Sequence, residues 1–195
     1  MKTLRSFAFL LAVIAFQSTG WAVVIEGVNV AAQKSVAGTP LQLNGAGVRT
    51  VTLAFIPIKA YVASFYSPEP LRTEDAVYAS AGPLQLNFTF LQGASQSQVT
   101  DAWNAQFKAS VTKPYPGLDK DEAAFIKMFG SITKGATQTV EIDGDETRVY
   151  ENGALKGTIL GNQFQKAFLS MWFGANPVLA SLKSDLLGGS KWQAN

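Results

Sequence analysis

The sequence predicts an α+β protein in which helices cover one face of a larger antiparallel sheet. Three observations predict it. The run "PLQLNFTFL" at 83–91 alternates apolar and polar residues, as a half-buried antiparallel strand does. Two later runs, "SQSQVTDAWNAQFKASV" at 95–111 and "LDKDEAAFIKMFGSI" at 118–132, place apolar residues at helical spacing. Then "TQTVEI", "TRVYE" and "ALKGTI" follow one another across Asp143-Gly144 and Asn152-Gly153, which reads as a small three-strand meander. Strands, helices, a meander and more helices make an α+β order.

The chain starts with "MKTLRSFAFLLAVIAFQSTGWA", in which Lys2 and Arg5 precede an apolar run from Phe7 to Phe16 and a short polar stretch. This is the order of a secretory signal peptide, and the apolar run is too short to span a bilayer. Residues 1–22 are expected to be removed after Ala22, which leaves a domain over 23–195 and a periplasmic or secreted protein. An uncleaved membrane anchor is the alternative, and the Gln-Ser-Thr-Gly stretch suits it less well. No later segment is long and apolar enough to cross a membrane.

Past the leader, "VVIEGVNV" is β-branched and reads as a strand. "TPLQLNGAGVRTVTLAFIPIKAYVASFY" at 39–66 reads as two or three strands, with turns near the glycines and near Pro57. "SPEPLRTEDAVYAS" is a loop with about one helical turn. In the alternating strand, Leu84, Leu86, Phe88 and Phe90 face one way and Gln85, Asn87 and Thr89 the other. In the first long helix, Val99, Ala102, Trp103 and Phe107 share a face that Gln106 interrupts, and Ser95 or Ser97 serves as cap. The second carries Ala124, Phe125, Met128 and Phe129, with its acidic residues at the positive end of the helix dipole. "NQFQKAFLSMWFG" is a helix capped by Asn162 and stopped by Gly174. "NPVLASLKSDLLGG" restarts at once, with Asn176 as cap, Pro177 in the first turn and Gly188 as stop.

Composition removes several kinds of chemistry. The chain has 195 residues, 16 basic and 14 acidic, with no Cys and no His. Loss of Lys2 and Arg5 leaves the two signs equal. A balanced surface offers no basic face for nucleic acid and no pull toward anionic lipid. Without Cys there is no disulfide, thiol nucleophile or thiolate metal site. Without His there is no Ser-His-Asp or Cys-His catalysis and no His-ligated zinc. No metal or other cofactor is called for. "DKDE" at 119–122 lacks the spacing and glycine of a calcium loop and reads as a solvated helix start.

The informative stretch is "LNGAGVR" at 43–49. Gly45 and Gly47 have no Cβ, so backbone can bend or approach closely there. Arg49 then either lies in water or binds something. If alternation holds, Arg49 shares a face with Val51, Leu53 and Phe55, and a guanidinium among apolar residues needs an anion. No Asp or Glu occurs between Gly27 and Ser67, so a protein carboxylate would come from elsewhere in the fold.

"LNGAGVR", a strand ending "KAYVASFY" and the terminal "FLSMWFGANPVLASLKSDLLG" together resemble the chalcone isomerase-like family in its bacterial exported form. The resemblance runs from about Gly38 to Gly188. It implies an open-faced β-sandwich with a ligand cleft between sheet and helices. In the plant enzyme the arginine of this motif attracts a substrate phenolate, and other members bind fatty acids with the matching arginine and a nearby tyrosine. Arg49 matches that arginine and Tyr61 falls where the enzyme has a threonine. The enzyme's tyrosine, lysine and asparagine fall near Gln96, Gln98 and Ala102, which differ in kind, and its serine or threonine falls near Met171, beside Ser170.

The resemblance therefore implies non-catalytic binding of a small lipophilic acid, with Arg49 as anchor, Tyr61 as helper, and Gly45, Gly47, Trp103 and Met171 around the ligand. An isomerase (intramolecular lyase) acting through Arg49 and Tyr61 on a substrate unlike a chalcone, or an interaction module whose cleft is filled, are the alternatives; no protein partner is named by the sequence.

Overall fold

The computed structural model describes residues 23–189; the expected leader lies outside them. In chain order the elements are β1 (Val23–Ile25), β2 (Val28–Val30), β3 (Gln33–Val36), β4 (Thr39–Leu53), β5 (Ile56–Ser67), α1 (Glu74–Ala79) and β6 (Leu84–Phe90). Then come α2 (Gln96–Ser110), α3 (Leu118–Ile126), β7 (Thr137–Asp143), β8 (Glu146–Glu151), β9 (Ala154–Leu160), α4 (Asn162–Phe173) and α5 (Ala180–Leu186). Strands β3 to β9 form one seven-stranded antiparallel sheet in sequence order, and β1–β2 form a separate two-stranded hairpin. The α+β class is as the element order predicts.

The turns explain where sequence expectation and structure part. The β7–β8–β9 hairpins close at Gly144 and Asn152-Gly153, which take positive φ. The meander is not separate, however, because β7 pairs with β6 from Leu84↔Ile142 to Thr89↔Thr137 and so extends the large sheet. "VVIEGVNV" is two strands, since Glu26 and Gly27 both take positive φ and fold it into a hairpin. The stretch with the glycines does not turn there. It is one fifteen-residue strand, β4, which turns at Ala54-Phe55, where Phe55 is 98% exposed.

Helix ends follow side-chain chemistry. Ser95 caps α2 in a reciprocal capping box with Gln98. Helix α4 is preceded by Gly161 as cap, with Asn162 already helical. Helix α5 starts later than the Asn-Pro signal suggests, after Leu179, because residues 176–178 are tied elsewhere. Asn176 accepts from Ser110 Oγ at 2.6 Å, and the Val178 amide donates to Met171 at 2.7 Å.

Two cores result. The main one lies between the sheet and the helices, built from Phe65, Leu86, Phe88, Phe107, Phe125, Phe164, Phe168, Met171, Trp172 and Phe173 among others. Each such aromatic contributes about 1.5–3 kcal/mol by burial. A smaller core of Val30, Val36, Leu41, Ala46, Val62 and Tyr66 lies on the other sheet face, under the β1–β2 hairpin. The Tyr66 hydroxyl donates to Ala31 and ties that hairpin down.

Candidate functional site

Two bulges organise the strand pair that carries "LNGAGVR". The first is at Asn44, which the β4–β5 register skips between Leu43↔Tyr66 and Gly45↔Phe65. Its side chain, freed from the ladder, is buried and hydrogen-bonded at both ends. Nδ2 donates to Leu71 O at 2.8 Å and Leu186 O at 2.7 Å, and Oδ1 accepts from the Leu71 amide. The second bulge is at Ala60, skipped between Arg49↔Tyr61 and Thr50↔Lys59. An extra residue there lets Ile58 and Tyr61, three apart, point to the same face.

Gly45, Gly47 and Arg49 alternate onto the helix side of β4. The glycines meet helix α5. A Cβ on Gly45 would collide with the Asp185 and Leu186 carbonyls, and one on Gly47 would stand 2.6 Å from Asp185 Oδ2. The close approach that their lack of a side chain permits is thus to α5, and neither lines the cleft described next. Two residues further along β4, toward the N-terminal end of α5, Arg49 lines a cleft.

That cleft measures about 490 Å³ and lies between the sheet and α2, within the usual range for small-molecule sites. Its sheet wall is Arg49, Val51, Ile58, Tyr61, Phe88, Phe90 and Gln138; its helix wall includes Val99, Trp103, Gln106 and Trp172. Among the described lining residues Arg49 is the charged side chain, and no Asp or Glu joins it. Arg49 is half-buried and donates one bond, from Nη1 to the carbonyl of its neighbour Thr50 at 2.8 Å. No ion pair reaches it among the described residues.

Tyr61 packs edge-on against Phe88 and Phe90, with ring centroids 5.3 and 5.7 Å away. Burial pushes its phenol above the ordinary tyrosine value. The Trp172 indole and the positive charge of Arg49 pull the other way without cancelling that rise. Tyr61 therefore stays protonated and keeps an O–H to offer. The Trp172 indole N–H lies beside the Tyr61 hydroxyl at a geometry looser than a full hydrogen bond.

Of the residues singled out in the sequence, the structure brings Arg49, Tyr61 and Trp103 to one cleft. Trp103 stacks on Phe129 at 5.3 Å and meets Phe125 edge-on. Met171 does not join them; it is fully buried in the main core. Gln98 and Ala102 line the cleft. Sequence reasoning missed Gln138 and Trp172. Gln138 carried a signal, because it shares the apolar parity of Val140 and Ile142 in "TQTVEI". Trp172 carried none, since a tryptophan on an apolar helix face reads as packing.

A model described as chalcone isomerase-like matches residues 22–188. The chain belongs to the chalcone isomerase-like family. Among solved structures, the family's fold is matched by the crystal structure of an Arabidopsis thaliana fatty-acid binding protein. The TM-score is 0.69 at 15% identity, over 86% of this chain and 96% of that one. No curated protein matches the sequence. At that identity the structural likeness speaks for the fold, and the function has to be argued from the cleft.

Proposed function

We propose that this member of the family binds a small lipophilic acid in the cleft without transforming it, with Arg49 holding the carboxylate and Tyr61 donating to it. One observation carries the reading: Arg49 is a charge with no carboxylate partner, set in a cleft whose other described lining residues are neutral and mostly apolar. A partly desolvated guanidinium is favourable only beside an anion, and its planar fork fits a carboxylate. The apolar walls supply the burial that an aliphatic or aromatic tail requires. A cleft of about 490 Å³ also speaks against the reading in which side chains fill it. That the Arabidopsis thaliana structure of similar fold is a fatty-acid binding protein supports this reading.

We further propose that the protein acts after export, in the periplasm or outside the cell, once residues 1–22 are removed. Transport or buffering of a lipophilic acid in water is a task for a carrier whose own surface charge is balanced.

The test is direct. Purified protein is denatured under organic solvent and the released material analysed by mass spectrometry, with stripped protein then titrated with laurate. A stoichiometric acid in the extract, or saturable laurate binding that Arg49→Ala removes, is expected. An empty extract together with no laurate binding would end the proposal.

A further inference from the structure

The turn that closes β4 onto β5 departs from its counterparts in the same fold. Three other two-residue hairpin loops end on glycine, Glu26-Gly27, Ala37-Gly38 and Asn152-Gly153, each pair at positive φ. Strands β4 and β5 are joined instead by Ala54-Phe55, at φ 46° and 68°. Positive φ is strained for a bulky residue, and glycine at 55 would close the same turn without strain. Packing does not explain the phenylalanine, because it is 98% exposed. Strain kept together with full exposure points to something the ring does outside the fold.

The turn also stands clear of the sheet. Strand β3 pairs with β4 only over Thr39–Gln42, and β6 pairs with β5 only from Tyr61 onward. From Thr50 to Lys59 the hairpin is therefore a two-stranded ribbon, which reaches roughly 13 Å beyond its neighbours at about 3.3 Å per residue. Its end, "LAFIPI" at 53–58, has no polar side chain. Ile56 is 63% exposed, and Pro57 has no N–H to leave unpaired in an apolar medium. At the base of the ribbon the paired residues Val51 and Ile58 line the cleft. No Asp or Glu occurs between Gly27 and Ser67, so the charges nearest the turn in sequence are Arg49 and Lys59, the latter joined to Glu26 at 2.7 Å.

We propose that the Ala54-Phe55 turn is a wedge that docks on a lipid bilayer. Phe55 and Ile56 enter the apolar layer beneath the headgroups, and the Val51–Ile58 side of the cleft is held at the interface. Shape decides for lipid over protein. A stable protein interface buries about 800 Å² on each partner, and two exposed side chains at a turn offer about half of that at most. A bilayer accepts a protruding apolar tip, and long basic side chains behind it keep their charge among the headgroups. Balanced overall charge gives no long-range pull, so apolar insertion provides the affinity and added salt should change it little. Two side chains bury less than a single acyl chain does, so docking is weak and reversible. Docking stands apart from the binding reading; only its use, passage of an acid between bilayer and cleft, rests on it.

The chain has no cysteine, so an environment-sensitive fluorophore is attached at one site through Phe55→Cys, with Leu155→Cys, 56% exposed on β9, as control. Purified protein is mixed with vesicles of phosphatidylethanolamine and phosphatidylglycerol. The label at 55 is expected to brighten and shift to the blue, and the label at 155 to stay as it is in buffer. Unlabelled Phe55→Gly should partition to floated vesicles about tenfold less than wild type or lower still, the effect of losing one buried aromatic side chain. It should keep or raise its melting temperature, since glycine suits the turn, and bind laurate in solution as wild type does. Equal flotation of Phe55→Gly and wild type overturns the docking. A label at 55 that ignores vesicles leaves the tip to a protein partner and overturns it as well. So does one that responds to protein concentration without vesicles, which assigns the tip to a second copy. Laurate binding without docking leaves the cleft reading intact, and docking without laurate binding ends the cleft reading alone.

Discussion

Asn44 Nδ2 donates to the Leu186 carbonyl at 2.7 Å, joining a bulge in β4 to the last turn of α5 across 142 residues of chain. The same side chain also holds Leu71 through both its amide and its carbonyl. Asn44→Ala leaves three buried backbone groups without partners. It is expected to destabilise the protein by about 2–4 kcal/mol, as the loss of buried bonds to unsatisfied groups does. Urea unfolding monitored by circular dichroism measures this, and a change below about 1 kcal/mol would contradict it.

The two glycines of the motif are expected to differ. A Cβ at Gly45 meets backbone carbonyls of Asp185 and Leu186, which cannot move without unwinding the end of α5. A Cβ at Gly47 meets the Asp185 carboxylate and the Leu182 side chain, which can rotate. Gly45→Ala should cost about 2 kcal/mol or more and Gly47→Ala about 1, on the scale of overpacked cores. The order is the prediction, and thermal melts of the pair would reverse it or uphold it.

These positions show what a single sequence conveys. The alternation of β6, the Asn-Gly turn and a serine cap at 95 or 97 are local effects, and each was legible from a few neighbouring residues. The glycines were legible as close-approach sites, yet what approaches them is α5, whose contact with β4 is set by the whole sheet. The Ala60 bulge, which turns Ile58 and Tyr61 to one face, has no marker in "IKAYV" because alanine fits a bulge or a regular strand equally well. The Asn-Pro pair looked like a helix start, but Val178 is held by Met171 and Asn176 by the distant Ser110, and these bonds delay α5. Arg49 was legible as a charge without nearby acids. Trp172 and Gln138 join the cleft only through the packing of α4 and the β6–β7 register, which no local pattern displays.

Arg49→Ala is expected to weaken laurate by at least about tenfold to a hundredfold, the effect of losing charge-assisted hydrogen bonds worth about 1.5–3 kcal/mol. Thermal stability should hardly change, because the guanidinium makes one bond, to Thr50. Arg49→Lys should fall between, since charge persists while the bidentate fork is lost. Calorimetric titration alongside melting curves separates the two effects. Equal affinity in wild type and Arg49→Ala would remove the anchor.

Ring closure of a chalcone asks for donors that polarise the ketone and hold the phenolate. Where the resemblance places the plant enzyme's groups, this chain has Gln96, Gln98 and Ala102, and Met171 is buried in the core. Loss of one preorganised donor at an oxyanion costs about 2.7–4 kcal/mol, roughly two to three decades of rate. Cyclisation of a hydroxychalcone is therefore expected to be indistinguishable from the uncatalysed reaction. A saturable rate that Arg49→Ala abolishes would show instead that the cleft is catalytic.

Alkaline pH supplies the last test. Tyr61 and Tyr66 are raised above their ordinary value, chiefly by burial, and Tyr78 is pushed up to about 12 by burial and then by Glu74. In the unfolded chain these phenols ionise near 10. Above that pH the unfolded state has released protons that the native state still holds, so stability must fall as pH rises. Their contribution is fully present below about pH 10 and is lost through the folded-state values above it. Laurate binding should keep its affinity up to the onset of unfolding, because Tyr61 retains its proton. Melting temperature and tyrosinate absorbance, followed together between pH 8 and about 12, check both halves. A Tyr61→Phe variant should lose less stability over that interval than wild type, since one of the phenols that couples folding to protons is gone. If its melting temperature instead falls as steeply as the wild-type curve, Tyr61 is not the buried, proton-holding donor that the cleft geometry describes.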